Sequence, residues 1–420
     1  MPHPERGSRR LRERVRADVA RNRERIEGVG VGIITGAAGD DPAGIVTYTI
    51  VGATTGFQLL WLMVVSTPMT IAVQSTVARI AIVTGKSLPE LTTAFYHRTT
   101  TVAMIAVLAV ANILTIGADL DAVAAIVGII TGTDPVWFLL PVTALIGYLV
   151  VYGAYATIKR VLIALSGILI VYVVSAFLAR PDLADMVRHT LVPTVSFDMA
   201  FILAALGLLG TTMSPYMMFW QAAEEREEHK TVAQARNVTA ETAIGMSYST
   251  GLAYFQIVAG AVTLSGVAVV TVTDVAKALE PLAGRYAFAL FSIGIVVSGL
   301  LAIPVLAGST AYAIADAFGW REGLDEKVSD ARGFYVVFVG SMLLGALIDL
   351  SPVSAVDALY YSQVLDGLLL PFLVAVMLLV ANNRVIMGEH TNSRFNNVFG
   401  GSALVVAAVL GIVMVVNLIG

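Results

Sequence analysis

The stretch 31-VGIITGAAGDDPAGIVTYTIVGA-53 is apolar over the length of a membrane span, yet Asp40, Asp41, Pro42, Ala43 and Gly44 break it at its centre. Pro42 removes a helix hydrogen bond and Gly44 weakens the turn around it. Carboxylates at membrane depth are expensive unless they face protein, water or a cation. A second run, 207-GLLGTTMSPYMMFWQAA-223, is interrupted in the same manner by Gly210, Thr211, Thr212, Ser214 and Pro215. Matched broken helices, each first in its half of the chain, are the signature of an inverted-repeat transporter that binds its solute at the breaks. Ordinary proline kinks are the competing reading; the carboxylates at one break and the positional match of the other favour a binding site.

Composition supports a membrane setting. The 420 residues are 57% hydrophobic and 13% charged, with a mean hydropathy of +0.82; a soluble domain carries about 25% charged residues. Apolar stretches of about 20 residues suffice to cross the hydrocarbon core as helices. Eleven are expected, at 29–51, 57–83, 101–131, 136–157, 161–179, 198–222, 238–264, 284–317, 333–349, 355–381 and 399–419. With the N-terminus in the cytoplasm, all but four of the 26 Lys and Arg fall on the cytoplasmic side, as the positive-inside rule requires. The exceptions are Arg180, Arg188, Lys277 and Arg285. The odd span number then places the C-terminus outside. The expected organisation is a basic cytoplasmic tail (1–28), a first five-helix repeat (29–180), a second (198–381) and an eleventh helix (399–420). The tail reads as a topological anchor, although Leu11, Val15 and Val19 recur as on a helix lying on anionic lipid.

Asp41 calls for a positive partner. The oxygens at hand are its carboxylate, carbonyls near Ala43 and Thr211, and the Ser214 hydroxyl, a set that suits Mg²⁺, Mn²⁺ or Ca²⁺. Neither break holds His or Cys, and the chain has no cysteine at all, which excludes disulfides and thiolate metal sites. No His cluster, nucleophile elbow or phosphate loop points to an enzyme. Only the basic tail favours nucleic acid, so none is expected. No cofactor and no obligate protein partner are expected; the partners are a small inorganic cation and the lipid bilayer.

These residues resemble the natural-resistance-associated macrophage protein (Nramp) family of divalent-metal transporters. The likeness runs through most of spans 1 to 10. It is clearest in 74-QSTVARIAIVTGKSLPEL-91, with Asp41-Pro42, Asp119-Leu120, Ser362-Gln363-Val364 and Leu370-Pro371-Phe372 in the family's order. The resemblance implies an all-α membrane protein with a LeuT-like fold: two inverted five-helix repeats and an eleventh transmembrane helix. It implies a cell-membrane location and no enzymatic activity.

The departures from the family bear on the cargo. Its Asp-Pro-Gly-Asn reads Asp41-Pro42-Ala43-Gly44, so the Asn ligand is missing. Its Met-Pro-His reads Ser214-Pro215-Tyr216, so a hydroxyl replaces the thioether. Met213, one residue earlier, either takes over that role or packs elsewhere; packing is expected. Losing sulfur weakens the preference for soft metals, and Mg²⁺ readily keeps part of its water shell. The altered site looks like the Nramp-related branch associated with magnesium and manganese. In span 10, Gln363 matches a family residue that approaches the metal. Asp366, three residues on and on the same helix face, stands where the family has an uncharged residue. It either holds a metal-bound water or bonds within the protein. The metal-site candidates are therefore Asp41, Ala43, Gly44, Thr211, Ser214, Gln363 and Asp366. Proton coupling is expected to be weak or absent. Of the family's third-span acids Asp119 remains while Ala122 stands where the Glu would be, and Tyr216 replaces the His. Tyr, with a reference pKa of about 10, carries protons poorly near neutrality. Asp119 and Tyr216 are assigned to this proton or outer layer. An organic-solute carrier on the same fold is the alternative.

Overall fold

The apolar runs fold as helices because lipid offers no partner to backbone amides, so each span must bond within itself. A computed structural model describes residues 41–152, 167–227, 231–232, 235, 238–267, 269–324, 326–348 and 353–419. In order the helices are α1 (Pro42–Thr55), α2 (Leu60–Thr84), α3 (Leu88–Phe95), α4 (Arg98–Thr131) and α5 (Val136–Tyr152). A 3₁₀ turn at Gly167–Ile170 leads into α6 (Val171–Leu178). There follow α7 (Leu183–Leu191), α8 (Met199–Thr212), α9 (Pro215–Glu227), α10 (Val238–Thr263), α11 (Val272–Ala276) and α12 (Glu280–Ala283). The chain closes with α13 (Ala287–Phe318), α14 (Arg332–Ile348), α15 (Ala355–Asn382), α16 (Arg384–Met387) and α17 (Arg394–Ile419). No strand occurs among the described residues. The basic tail, residues 29–40 of the first span and the start of the fifth lie outside them.

By length and composition six described segments can cross a membrane: α2, α4, α8 with α9, the 272–318 segment, α15 and α17. α5 and α14 are shorter apolar helices. The expected seventh span, α10, has the length but is more polar, holding Glu241, Ser249, Thr250 and Gln256. It packs mainly against α1 and α2, so less of it needs an apolar surface toward lipid. The short helices were not foreseen, although α3 carries a capping box, Ser87 with Glu90, and Asp182 caps α7. Both are readable helix starts.

Glycines bring four helices into backbone contact. A Cβ on Gly210 of α8 would lie 1.9 Å from the Gln363 carbonyl oxygen of α15, and one on Gly367 would lie 2.2 Å from that of Leu206. A Cβ on Gly52 of α1 would lie 2.1 Å from the Ile257 oxygen of α10, and one on Gly260 would lie 2.4 Å from that of Thr49. Small residues at helix contacts serve this close approach within membranes. α9 is held differently. Its Trp220 covers Gly308 of α13 and meets the Tyr312 ring edge-on. Arg226, at its end, grips Asp316 with both terminal nitrogens at 3.0 Å, and also reaches Glu322 at 3.0 Å and Glu90 at 3.5 Å. α17 buries only Asn396, Gly400, Ala403 and Ala407. That narrow stripe, at helical spacing, lies on a helix whose main neighbours are α15 and α2.

Candidate metal centre

Asp41 has extended backbone geometry (φ −69°, ψ 166°) and is the N-cap of α1; its Oδ1 accepts the Gly44 amide at 2.6 Å. Pro42 suits the first helical position, where no amide is needed. Asp119, from the middle of α4, accepts the Ala43 amide on Oδ1 at 3.1 Å. The start of α1 therefore binds two carboxylates through backbone N–H groups, as its positive dipole end favours. Ala43 and Gly44 enter as amide donors. Ala43 lies in the first helical turn, so its carbonyl belongs to the helix ladder, and the expected free carbonyl at Ala43 is not found in this conformation.

The second break lies between α8 and α9. Met213 leaves helical geometry (φ −124°, ψ 44°), and its amide still bonds to the Leu209 carbonyl. The next two carbonyls, of Gly210 and Thr211, accept the Ser214 hydroxyl at 2.9 and 3.0 Å. Ser214 thus closes the interrupted helix with its own side chain. Each carbonyl oxygen has a second lone pair, so this bond does not exhaust Thr211. Thr212 meets Tyr48 of α1 at 3.2 Å, and Thr70 of α2 donates weakly to the Thr212 carbonyl at 3.4 Å. Tyr216 donates to Asp41 Oδ2 at 3.4 Å, so it joins the start of α9 to the start of α1. Met213 is fully buried in the apolar cluster.

α15 closes the third side. Its contact with Gly210 brings Gln363 and Asp366 to the second break, and both are buried. Gln363 Oε1, Asp366 Oδ1, Asp119 Oδ2 and the Thr211 hydroxyl are buried atoms without a hydrogen-bond partner. Asp119 feels the charges of Asp41 and Asp366, and Asp366 feels that of Asp41. Among the described residues no Lys, Arg or His pairs with any of the three. Among the described residues no three Asp, Glu, His or Cys side chains converge as a ready metal cluster. An ion here would need hydroxyl, amide or carbonyl oxygens, or its own waters, besides carboxylate. Sequence reasoning missed Gln74 of α2: its whole side-chain amide is buried without a partner. It lies one turn beyond Thr70, on the face that reaches the second break. A polar amide in mid-span was the available signal.

A family model described as natural resistance-associated macrophage protein-like matches residues 32–417. The chain belongs to the Nramp family. Nramp proteins are transporters rather than enzymes, and the metal they handle is cargo rather than cofactor. The "Divalent metal cation transporter MntH" of Aeromonas hydrophila is 28% identical over 392 residues, covering 89% of this chain and 90% of its own length. That of Verminephrobacter eiseniae is 25% identical, with 93% and 89% covered. Among solved structures, the Eremococcus coleocola manganese transporter, crystallised with an aromatic bis-isothiourea compound, superposes with a TM-score of 0.76 at 17% identity. It covers 92% of this chain and 85% of that one. Mhp1, a nucleobase-cation-symport-1 family transporter in a closed conformation, gives 0.51 at 14% identity, with 93% and 89% covered. These likenesses show the LeuT-like fold that the Nramp resemblance implied.

Proposed function

We propose that the protein carries a divalent cation, Mg²⁺ or Mn²⁺, across the membrane by alternating access, with the ion held between the two broken spans. The observation that carries this is the set of three buried carboxylates, Asp41, Asp119 and Asp366, with no cation beside them. Such a set at membrane depth is tolerable when a positive charge joins it. Asp41 is the central ligand. Thr211, Ser214, Gln363 and Asp366 supply further oxygens, in part through waters that the ion retains. Ala43 and Gly44 act through their amides, which fix the two carboxylates at the start of α1. The all-oxygen surroundings favour hard ions over soft ones. Tyr216 holds Asp41 without relaying protons, so flux is uncoupled or weakly coupled to them. A cavity of about 500 Å³ lies beside α9, lined by Gly85, Glu225, Arg226, Glu227, Tyr312 and Glu322.

The same reading places the protein in the cell's inner membrane, with the N-terminus in the cytoplasm and the C-terminus outside. It takes 29–180 and 198–381 as the two repeats, 1–28 as a basic tail and 399–420 as the eleventh helix.

Proteoliposome flux of Mg²⁺, Mn²⁺ and Ca²⁺ tests the centre. Asp41→Ala abolishes flux and also loses a helix cap worth about 1 kcal/mol. Asp41→Asn keeps a good cap and removes only the charge, so it should fold like wild type and still fail to transport. Metal flux unchanged in a folded Asp41→Asn protein rejects the centre. Stoichiometric acidification of the vesicles during metal entry would reject the uncoupled mechanism. Ser214→Met should shift competition toward soft ions such as Cd²⁺; an unchanged ion order would remove Ser214 from the ligand set.

A further inference from the structure

The Arg-rich end of the bundle has a buried cation that the transport mechanism does not use. Arg79 lies on α2 five residues before its end, about 7 Å along the helix. Its Nε is buried and has no hydrogen-bond partner. One terminal nitrogen donates to the neutral Asn392 side chain, and among the described residues no carboxylate pairs with it. The residue as a whole is half-buried, with Nε on its covered side. A guanidinium at this depth without a counter-charge is costly.

The surroundings are built of amides and further arginines. Asn392 bonds Asn397 at 3.0 Å, and Asn397 exchanges bonds with Asn382 at 2.9 Å. Asn396 of α17 is buried against α2, donating to the Ala72 carbonyl, Ser75 and Thr76. This network fixes the α15–α17 connection beside Arg79. It places Arg384, next to Asn383, and Arg394, two residues beyond Asn392, on the same connection, both exposed. Neither forms an ion pair among the described residues, and Glu389 between them is exposed and pairs with neither.

We propose that Arg79, assisted by Arg384 and Arg394, binds the phosphate of an anionic membrane lipid at the seam between α2 and the α15–α17 connection. The guanidinium fork matches two phosphate oxygens. α17, which buries only a narrow stripe, borders the seam on its outer side. Three arginines without a carboxylate call for a headgroup of net negative charge. The shared chemistry is a phosphate anion, and the lipid is the source that reaches this depth with its chains in the hydrocarbon. The proposal does not depend on which ion is carried.

The full-length protein in detergent is tested with dioleoyl-phosphatidylglycerol, dioleoyl-phosphatidylcholine and inorganic phosphate, with bound lipid read by native mass spectrometry. Wild type should retain phosphatidylglycerol over phosphatidylcholine. Arg79→Gln should lose roughly fivefold or more of that affinity, and Arg384→Gln with Arg394→Gln a smaller share. Millimolar inorganic phosphate should not displace the lipid. Equal retention by wild type and Arg79→Gln overturns the proposal, as does displacement by inorganic phosphate. A photoactivatable phosphatidylglycerol on the wild-type protein gives a readout that does not depend on a variant folding. Headgroup adducts on the 76–82 and 392–397 segments support the site, and adducts confined elsewhere overturn it.

Discussion

Helices α1 and α8 and helix α9 meet at the same centre but are held by different forces. α1 and α8 touch α10 and α15 backbone to backbone through Gly52, Gly260, Gly210 and Gly367. α9 is held by Trp220 and by the Arg226 cluster with Asp316, Glu322 and Glu90. Close-packed backbone resists small displacements because packed contacts have no slack. An ion cluster facing a cavity can exchange protein partners for water. The contrast assigns rigidity to the Arg-poor side of the centre and a releasable hold to the Arg-rich side.

The largest expected effect would break the rigid side. Gly210→Ala sets a methyl 1.9 Å from the Gln363 oxygen, with backbone on both sides of the clash. Overpacking of that kind should destabilise by roughly 3 kcal/mol or more, seen as lost folded yield and an early unfolding transition in detergent. A folded protein of normal stability would mean the helices are not clamped there. Asp316→Asn on the releasable side should be milder, about 1.5–3 kcal/mol for the lost charge-assisted bonds. It should leave the protein folded and change transport rate more than ion preference. Altered ion order with unchanged rate would break the proposed division of labour.

The smallest effect concerns pH. Burial, together with the neighbouring Asp316 charge, pushes Glu322 up to about 9 against the pull of Arg226. Three carboxylates share one guanidinium, so Glu322 keeps its proton at neutrality. A carboxyl raised in the folded state binds more protons folded than unfolded. Its stabilising contribution is complete below about 4.5 and is lost as pH rises toward 9. The melting temperature should therefore decline from pH 5 to pH 9, and Glu322→Gln should flatten that decline. An identical slope in the variant would mean that Glu322 does not carry the proton.

Much of this was legible in the sequence. Span positions follow from apolar runs, so α2, α4, α13, α14 and α15 lie within a few residues of expectation. The break at Met213–Pro215 was marked by Pro215, whereas Gly210, Thr211 and Thr212, expected to interrupt the span, remain helical in α8; Asp41 stood out as a charge in an apolar run. The amide of Ala43 on Asp119 was not legible, because it joins residues 76 apart through a tertiary contact. Nor could the pattern show that Ser214 would turn its hydroxyl back on the carbonyls it was expected to leave free. Glycine spacing hints at close contact, but which helix each glycine meets is decided only by packing.

Asp41 spends one oxygen on the Gly44 amide and leaves the other turned toward Tyr216. Oδ1 thus meets any arriving charge with one of its lone pairs already committed to the helix cap. A carrier must surrender what it seizes, and a site that holds too tightly stalls. With Asp41 as the proposed ligand, sharing one oxygen with its own backbone weakens the grip and favours turnover.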